Sequence, residues 1–328
     1  MRAPEALCCV WWVLAGCEGG NLVLGAGHSL AGADAGAALA GQMANAMDAG
    51  AAGQGGASDA GAGALEMLRF REPRLIEELV AASEAKDDDP SLTTDRLLLC
   101  FNSRRDGGSG KEDIWCSERA NLAERWGKPQ PLAALNTDAR ETGIALALDG
   151  LALWFSSDRD EQDSLDVYVS RRESRTAQWS APERVPALST HDDDLVSGVD
   201  AEARTLYLAR RVDDDDDYDL YLATRADAQS AWYAPVLIEE LTTDAEESDA
   251  YPVAEGRGLL FTRKGELMLA RRKSLAERFE SPQPLAALNS SRDDRDAWAE
   301  PDMSYVVFSS DRSGEYRLYE TEVTTGEP

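Results

Sequence analysis

The sequence has little positive charge to balance its acidity. Its 328 residues contain 33 lysines and arginines but 61 aspartates and glutamates, so the formal net charge is −28. The phosphates of nucleic acids and anionic lipid headgroups repel a chain of this charge. The composition therefore argues against nucleic acid as a partner, and it is compatible with basic partners and divalent cations.

Catalytic motifs are also missing. The chain has two histidines, and it contains no G-x-S-x-G sequence, no H-x-x-x-H pair and no glycine-rich phosphate-binding loop. His191 lies next to Asp192 in a polar segment, which is typical of a surface turn. No cofactor is expected. Carboxylates are plentiful, however, and two suitably placed carboxylates can catalyse glycoside hydrolysis.

The apolar run at residues 7–16 is too short to span a bilayer as a mature helix. With Arg2 before it, the run has the layout of a secretory signal. Its ending, Leu14-Ala15-Gly16-Cys17, resembles a bacterial lipobox. That resemblance implies cleavage after residue 16, acylation of Cys17 and stable lipid anchoring, and Glu18 favours the outer membrane. The alternative is an ordinary signal peptide with a chance cysteine.

The next segment, residues 18–64, has no aromatic residue and only one β-branched residue, Val23. A glycine- and alanine-rich segment of this kind cannot bury enough surface to offset its ordering entropy. We therefore expect a signal peptide at 1–16, the lipidated cysteine with a flexible tether at 17–64, and a folded domain at 65–328.

The folded domain lacks the 3.6-residue periodicity of helices and instead repeats about every 50 residues. Each copy holds an apolar strand, a polar turn and a partner strand. The apolar strands are anchored by Phe101, Phe155, Leu208, Phe261 and Phe308. The partner strands begin at Asp113, Asp166, Asp219, Glu266 and Arg317. An aromatic residue three positions before a proline then follows in the first four copies, at Trp126, Trp179, Trp232 and Phe279.

About four short antiparallel strands per copy are what one blade of a β-propeller requires. An aromatic–proline pair at Phe70 precedes the first of the five hairpins, whereas the last hairpin has no such pair after it. We therefore predict an all-β, five-bladed propeller of four-stranded antiparallel blades. An N-terminal strand at about residues 70–80 completes the C-terminal blade, because closing the ring removes its open edges.

The motifs F-S-S-D-R, D-V-Y-V-S-R-R and W-x-x-P resemble the WD40-like propeller repeat of the TolB type. The resemblance covers residues 66–323 and is strongest in the first two blades. Glu266 and Arg317 depart from it, because the family has an aspartate at that position. The resemblance implies a propeller fold, although the Tol-system protein itself has six blades.

Cys100 and Cys116 are the thiols that remain after signal cleavage and acylation of Cys17. They lie one residue before Phe101 and one residue after Trp115, and the matching positions of other copies are apolar pairs. We expect the two cysteines to be cross-strand neighbours on a buried face. An oxidising periplasm favours a disulfide, and two buried free thiols are the alternative.

Charged residues offer further candidates. Asp213, Asp215 and Asp217 in the third hairpin are candidate Ca²⁺ ligands, with a solvated acidic loop as the alternative, since no D-x-D-x-D-G loop is present. Acidic stretches also precede the first strand of each copy, either as a negative mouth of the ring or as turn and capping residues. Basic residues after each apolar strand are expected to pair with these acidic turns: Arg104, Arg159, Arg211, Lys264 and Arg312.

The main functional hypothesis is a membrane-anchored envelope lipoprotein that faces the periplasm or the cell surface. Its propeller would act as a non-catalytic, monomeric binding module for a protein, peptide or cell-wall partner. The alternatives are a carbohydrate-active hydrolase or lyase with carboxylates in the central channel, and a purely structural envelope component. The enzyme requires two or three inward carboxylates about 5–9.5 Å apart in an open channel, and an apolar plug would contradict it.

Overall fold

A computed structural model describes residues 68–82, 85–160, 164–212 and 217–325. Cys17, Asp213, Asp215 and the expected signal peptide and tether lie outside the described residues. The described chain is almost entirely β, with two short 3₁₀ turns at Glu77–Leu79 and Ala254–Gly256. Within these ranges, no helix combines the length and the apolar character needed to cross a bilayer.

Each blade is an antiparallel sheet whose strands follow one another outward from the ring axis. The innermost strands are β3 (Asp87–Leu92), β7 (Glu141–Leu146), β11 (Asp193–Val199), β15 (Glu247–Val253) and β19 (Asp294–Ala299). The second strands are β4 (Leu98–Ser103), β8 (Ala152–Ser157), β12 (Thr205–Arg211), β16 (Gly258–Arg263) and β20 (Tyr305–Ser310). The third strands are β5 (Asp113–Glu118), β9 (Asp166–Arg171), β13 (Asp219–Thr224), β17 (Glu266–Arg271) and β21 (Arg317–Thr325). The outer strands of blades 1 to 4 are β6 (Gln130–Pro131), β10 (Glu183–Arg184), β14 (Val236–Leu237) and β18 (Gln283–Pro284).

The N-terminal segment closes the ring, as predicted. The strands β1 (Leu68–Phe70) and β2 (Arg74–Leu75) both pair antiparallel with β21 and so complete blade 5. Ile76 and Leu79 follow, with side chains only 2% and 1% exposed. Inner strands contact each other in the order β3, β7, β11, β15, β19 and back to β3. The five-bladed, four-stranded propeller is therefore confirmed.

Burial on both faces explains the continuous apolar runs of the second strands. Each sheet packs between two neighbours, so neither face meets water. One cluster, for example, joins Cys100 and Ile114 of blade 1 to Leu153 and Phe155 of blade 2. The five anchors are all fully buried: Phe101, Phe155, Leu208, Phe261 and Phe308.

The polar residue after the anchor fastens its blade to the next one. The Ser156 hydroxyl donates to the carbonyl of Asp194 and accepts from the N–H of Val196, at 2.8 and 2.9 Å. Ser309 of blade 5 donates in the same way to the carbonyl of Asp87 in blade 1. Each bond gives a partner to a buried backbone group that would otherwise be unsatisfied. The first serine of the F-S-S-D-R motif is therefore structural.

Candidate functional site in the central channel

An acidic residue within the first two positions of each inner strand forms a structural ion pair. In blade 2, the Glu141 carboxylate lies 3.0 Å from the Arg159 guanidinium and also accepts from the Thr137 hydroxyl. The same arginine donates to the carbonyl of Leu135. The corresponding pairs in the other blades are Asp87 with Arg105, Asp194 with Arg210, Glu247 with Arg263 and Asp294 with Arg312. These carboxylates act as turn and capping groups, one of the two roles considered for them.

The arginine in this pair is not always the one that the sequence pattern indicated. Arg159 and Arg312 pair as expected, but the partners in blades 1, 3 and 4 are Arg105, Arg210 and Arg263. In blades 1, 2 and 5 the arginine is four residues after the anchor and contacts the carboxylate from the turn. In blades 3 and 4 the arginine is two residues after the anchor and contacts the carboxylate from the second strand. Of the residues expected to pair, Arg104 bonds Glu112 and Arg211 bonds Asp193.

The repeat-signature aspartates and aromatic residues also hold the framework. Asp113 accepts from the backbone N–H of Ser109, and Asp166 bonds Arg184 at 2.7 Å. Burial raises the pKa of Asp219. Arginines seven residues before the aromatic residue stack on it at 4.2–4.4 Å, a repeated cation–π contact that the spacing could have revealed. The pairs are Arg119 with Trp126, Arg172 with Trp179, Arg225 with Trp232 and Arg272 with Phe279.

Cys100 and Cys116 face each other across β4 and β5 and are joined by a disulfide in the structure, with their Cα atoms 4.1 Å apart. Both side chains lie within the cluster between blades 1 and 2. Their hairpin loop spans a sequence separation of 16 residues.

We predict that this disulfide stabilises the protein by about 3 kcal/mol, the value expected for a cross-link that closes a loop of this length. Thermal unfolding with and without reductant should show a lower Tm after reduction. The double variant Cys100→Val, Cys116→Val should lose the reductant effect, because apolar pairs occupy the same positions in other blades. A peptide map without reductant that shows the two cysteines unlinked would contradict the prediction.

The remaining charged candidates do not converge on a site within the described residues. Asp217 is exposed, and its neighbours Asp213 and Asp215 lie outside those residues. The side chain of His191 is 87% exposed and lies 3.4 Å from the carboxylate of Asp192.

A cluster that the sequence analysis missed lies on the ring axis. Asp89, Asp249 and Asp296 occupy the same position of three consecutive blades, two residues after the acid that begins each inner strand. One carboxylate oxygen from each lies within 4.8 Å of the others. Asp249 and Asp296 are each 7% exposed, and Asp89 is half-buried. We call these three residues the axial triad.

A β-bulge turns the triad side chains inward. The pairing of each inner strand with its neighbour shifts at this point, and the three aspartates have φ values of 50°, 58° and 55°. A left-handed conformation costs a non-glycine residue about 1–2 kcal/mol, although aspartate tolerates it better than most residues. Asp89 accepts from the N–H of Gly143 and Asp249 accepts from the hydroxyl of Ser248, at 2.9 and 2.7 Å.

The triad lies in a strongly negative environment. Burial and the neighbouring carboxylates raise the pKa values of Asp89 and Asp296 well above the usual range. Burial raises the pKa of Asp88 to about 6. Lys86 forms an ion pair with Asp88. The largest single effect on Arg295 is burial, which lowers its pKa, but its anionic neighbours, Asp296 first and then Asp249, together with Tyr316 and Asp293, raise that pKa overall.

The channel is narrow at the level of the triad. A Cβ atom on Gly143 would lie 2.6 Å from the carbonyl oxygen of Val196, and one on Gly198 would lie 2.6 Å from that of Ala250. Inner strands of neighbouring blades therefore touch through their backbones. The carboxylates are closer together than an inverting glycosidase requires, and two of the three are buried.

A cavity of about 350 Å³ opens at the opposite end of the inner strands. It is lined mainly by the turns that leave the inner strands of blades 3 and 4, with Val199, Tyr251 and Leu275 among its apolar side chains. The Asp200 carboxylate in its wall accepts hydrogen bonds from the backbone N–H groups of Arg204 and Thr205.

Comparison with known proteins identifies the fold alone. No protein-family model matches the sequence, and no curated protein matches it significantly. A solved structure described as a glycoside hydrolase is 14% identical with a TM-score of 0.53, covering 80% of this chain and 93% of the other. A thermostable family-43 glycoside hydrolase is 11% identical with a TM-score of 0.48, covering 74% and 90%. TolB from Acinetobacter baumannii is 11% identical with a TM-score of 0.43, and the alignment covers 72% of this chain but 55% of TolB.

Proposed function

We propose that the chain is an envelope lipoprotein, anchored through Cys17, whose propeller binds a protein, peptide or cell-wall partner without catalysing a reaction on it. The lipobox and the glycine- and alanine-rich segment after it support the anchor and tether. The outer membrane is the favoured location. A tether of this kind would let the propeller reach a partner some distance from the membrane.

The observation that carries the binding role is the cavity at the mouth of the channel. Its walls are largely apolar, which is typical of recesses that take up a side chain or a chain segment. Two of its polar groups are engaged within the fold, because Asp200 caps its own turn and Arg272 donates to the carbonyl of Gly256 while stacking on Phe279. The cavity therefore offers mainly apolar contact area.

The carbohydrate-active alternative depends on the axial triad. Three inward carboxylates are present, but they lie within 4.8 Å of one another in a narrow part of the channel, and two of them are buried. A glycosidase needs room between its two carboxyl groups for the sugar and, in inverting enzymes, for a water molecule. The triad geometry therefore favours binding over glycoside hydrolysis.

Site-specific photo-crosslinking tests the binding role with a matched pair of positions. Leu275 lines the cavity, and Leu122 occupies the same place in the equivalent L-A-E-R loop of blade 1, where it is 50% exposed. A crosslinker at Leu275 should give one discrete adduct in membranes, whereas the crosslinker at Leu122 should give none. Palmitate labelling should disappear in Cys17→Ala. Identical adducts at both positions would contradict the binding site, and unchanged labelling would contradict the anchor.

A further inference from the structure

The fold does not require an aspartate at the triad position. The equivalent residues in blades 2 and 3 are Gly143 and Val196, and Gly143 has a φ of 59°, as left-handed as the three aspartates. Glycine adopts this conformation without strain. Blades 4, 5 and 1 instead place a buried carboxylate there. Those side chains therefore need an explanation beyond the geometry of the bulge.

One carboxylate oxygen of the triad has no protein partner. Asp296 is 7% exposed, and its Oδ2 atom is buried without a hydrogen bond among the described residues. One oxygen of the same carboxylate lies within 4.8 Å of an oxygen of Asp89 and one of Asp249, so the unpartnered atom is on a carboxylate of the cluster on the axis. A buried oxygen without a hydrogen bond costs free energy. A bound cation that accepts a lone pair from this oxygen would remove that cost.

The charge around the triad matches a divalent cation. The groups that interact electrostatically with Asp89 and Asp296 include two further acidic residues, Asp88 and Asp249, and two basic ones, Lys86 and Arg295. Four carboxylates and two cationic groups leave a formal charge of −2 when all are ionised. Half-buried Glu246, which interacts with Asp249, adds a further negative charge.

The oxygen atoms also have the spacing that one ion requires. Ca²⁺ binds oxygen ligands at about 2.3–2.6 Å, so two ligands on opposite sides of one ion are at most about 5 Å apart. The three triad oxygens lie within 4.8 Å of one another. Carboxylates are the ligands that a hard cation prefers, and the cluster contains no histidine or cysteine to favour a transition metal.

We propose that Asp89, Asp249 and Asp296 bind a Ca²⁺ ion on the axis of the propeller. The ion would join blades 4, 5 and 1 and so would span the seam where the last blade meets the first. It would lie at the other end of the inner strands from the cavity proposed to bind the partner. The two sites are independent, and failure of one leaves the other intact.

Calcium titration of the purified full chain tests the proposal. Isothermal titration calorimetry of chelator-treated protein should give one Ca²⁺ per chain. Calcium at 100 times its Kd should raise the Tm by roughly 5 °C, because the ion binds only the folded ring. Titration with Mg²⁺ should give a smaller shift, since Mg²⁺ demands shorter bonds and a stricter octahedral geometry.

The variant Asp296→Gly tests calcium binding separately from folding. It copies the residue that blade 2 uses at this position, so it should fold and should melt at or above the wild-type temperature in chelator. It should lose the calcium-induced Tm shift and the calorimetric signal. Asp89→Gly repeats the test from another blade if the first variant does not fold. The control Asp302→Asn removes an exposed charge of blade 5 and should keep the full shift.

Two results would overturn the proposal. One is a wild-type protein whose Tm and calorimetric trace do not respond to millimolar Ca²⁺. The other is an Asp296→Gly or Asp89→Gly variant that binds Ca²⁺ as the wild type does, because binding would then depend on general surface acidity rather than on the triad.

Discussion

A chain that begins at residue 80 is expected to lose the cooperative unfolding transition of the propeller. The deletion removes β1 and β2, which pair with β21, and it leaves a long strand edge open. It also removes the buried side chains of Ile76 and Leu79, each worth about 2–5 kcal/mol on truncation to alanine. The sum approaches the whole stability of an ordinary domain. Thermal unfolding followed by circular dichroism should show a broad, low-temperature transition.

A chain that begins at residue 65 is the matched control and should melt like the full protein, because it keeps every residue that pairs with β21. The double variant Ile76→Ala, Leu79→Ala isolates the packing contribution and should lower the Tm while preserving a single transition. A chain beginning at residue 80 that melts as sharply and as high as the control would show that ring closure contributes little to stability.

Gly143→Ala is expected to destabilise the propeller by about 2–5 kcal/mol. The added methyl group would lie 2.6 Å from the carbonyl oxygen of Val196 in the next blade, and the residue would also have to keep a φ of 59°. The clash contributes about 1–3 kcal/mol and the left-handed conformation about 1–2 kcal/mol. Urea unfolding of the purified variant measures the change in the free energy of unfolding.

Two other glycines separate these contributions. Gly314 has a φ of 103° but no atom within 4 Å of an added Cβ, so Gly314→Ala should cost only the conformational part. Gly198 faces the carbonyl of Ala250 at 2.6 Å without a left-handed φ, so Gly198→Ala should cost only the clash. A loss in Gly143→Ala no larger than that in Gly314→Ala would mean that the inner strands can move apart at the axis.

The hairpins could be predicted because each depends on residues close together in the chain. The ring closure joins the two ends of the domain, and it could be predicted because one copy of the repeat lacks its outer strand. The anchors Phe101 and Phe155 recur with the repeat, and an apolar run of that length in a sheet needs cover on both faces. The unpaired aromatic–proline copy at Phe70 predicted which segment closes blade 5. The disulfide partners Cys100 and Cys116 lie opposite each other in one hairpin, so their proximity is also a local property.

The sequence was less accurate in predicting which arginine pairs with each carboxylate. Arg211 does pair with Asp193 of its acidic stretch, as the sequence indicated. The carboxylates of Asp87, Asp194 and Glu247, however, pair with arginines one residue away from the indicated Arg104, Arg211 and Lys264: these are Arg105, Arg210 and Arg263. An arginine is long enough to reach the same carboxylate from the strand or from the turn, so composition at the turn does not determine which one pairs. Counting from the buried anchor would have identified both placements.

The sequence by itself determined the strand content of each blade, the number of blades and the strand that closes the ring. It could do so because strand pairing and burial on both faces require apolar runs that recur with each blade. It also marked the acidic stretch that precedes the first strand of every copy, and carboxylates of those stretches hold turns. Only the tertiary structure brought Asp89, Asp249 and Asp296 together. Each stands in a different short sequence, and only a β-bulge turns its side chain toward the axis. A site formed by single residues of separate blades exists only once the ring has closed.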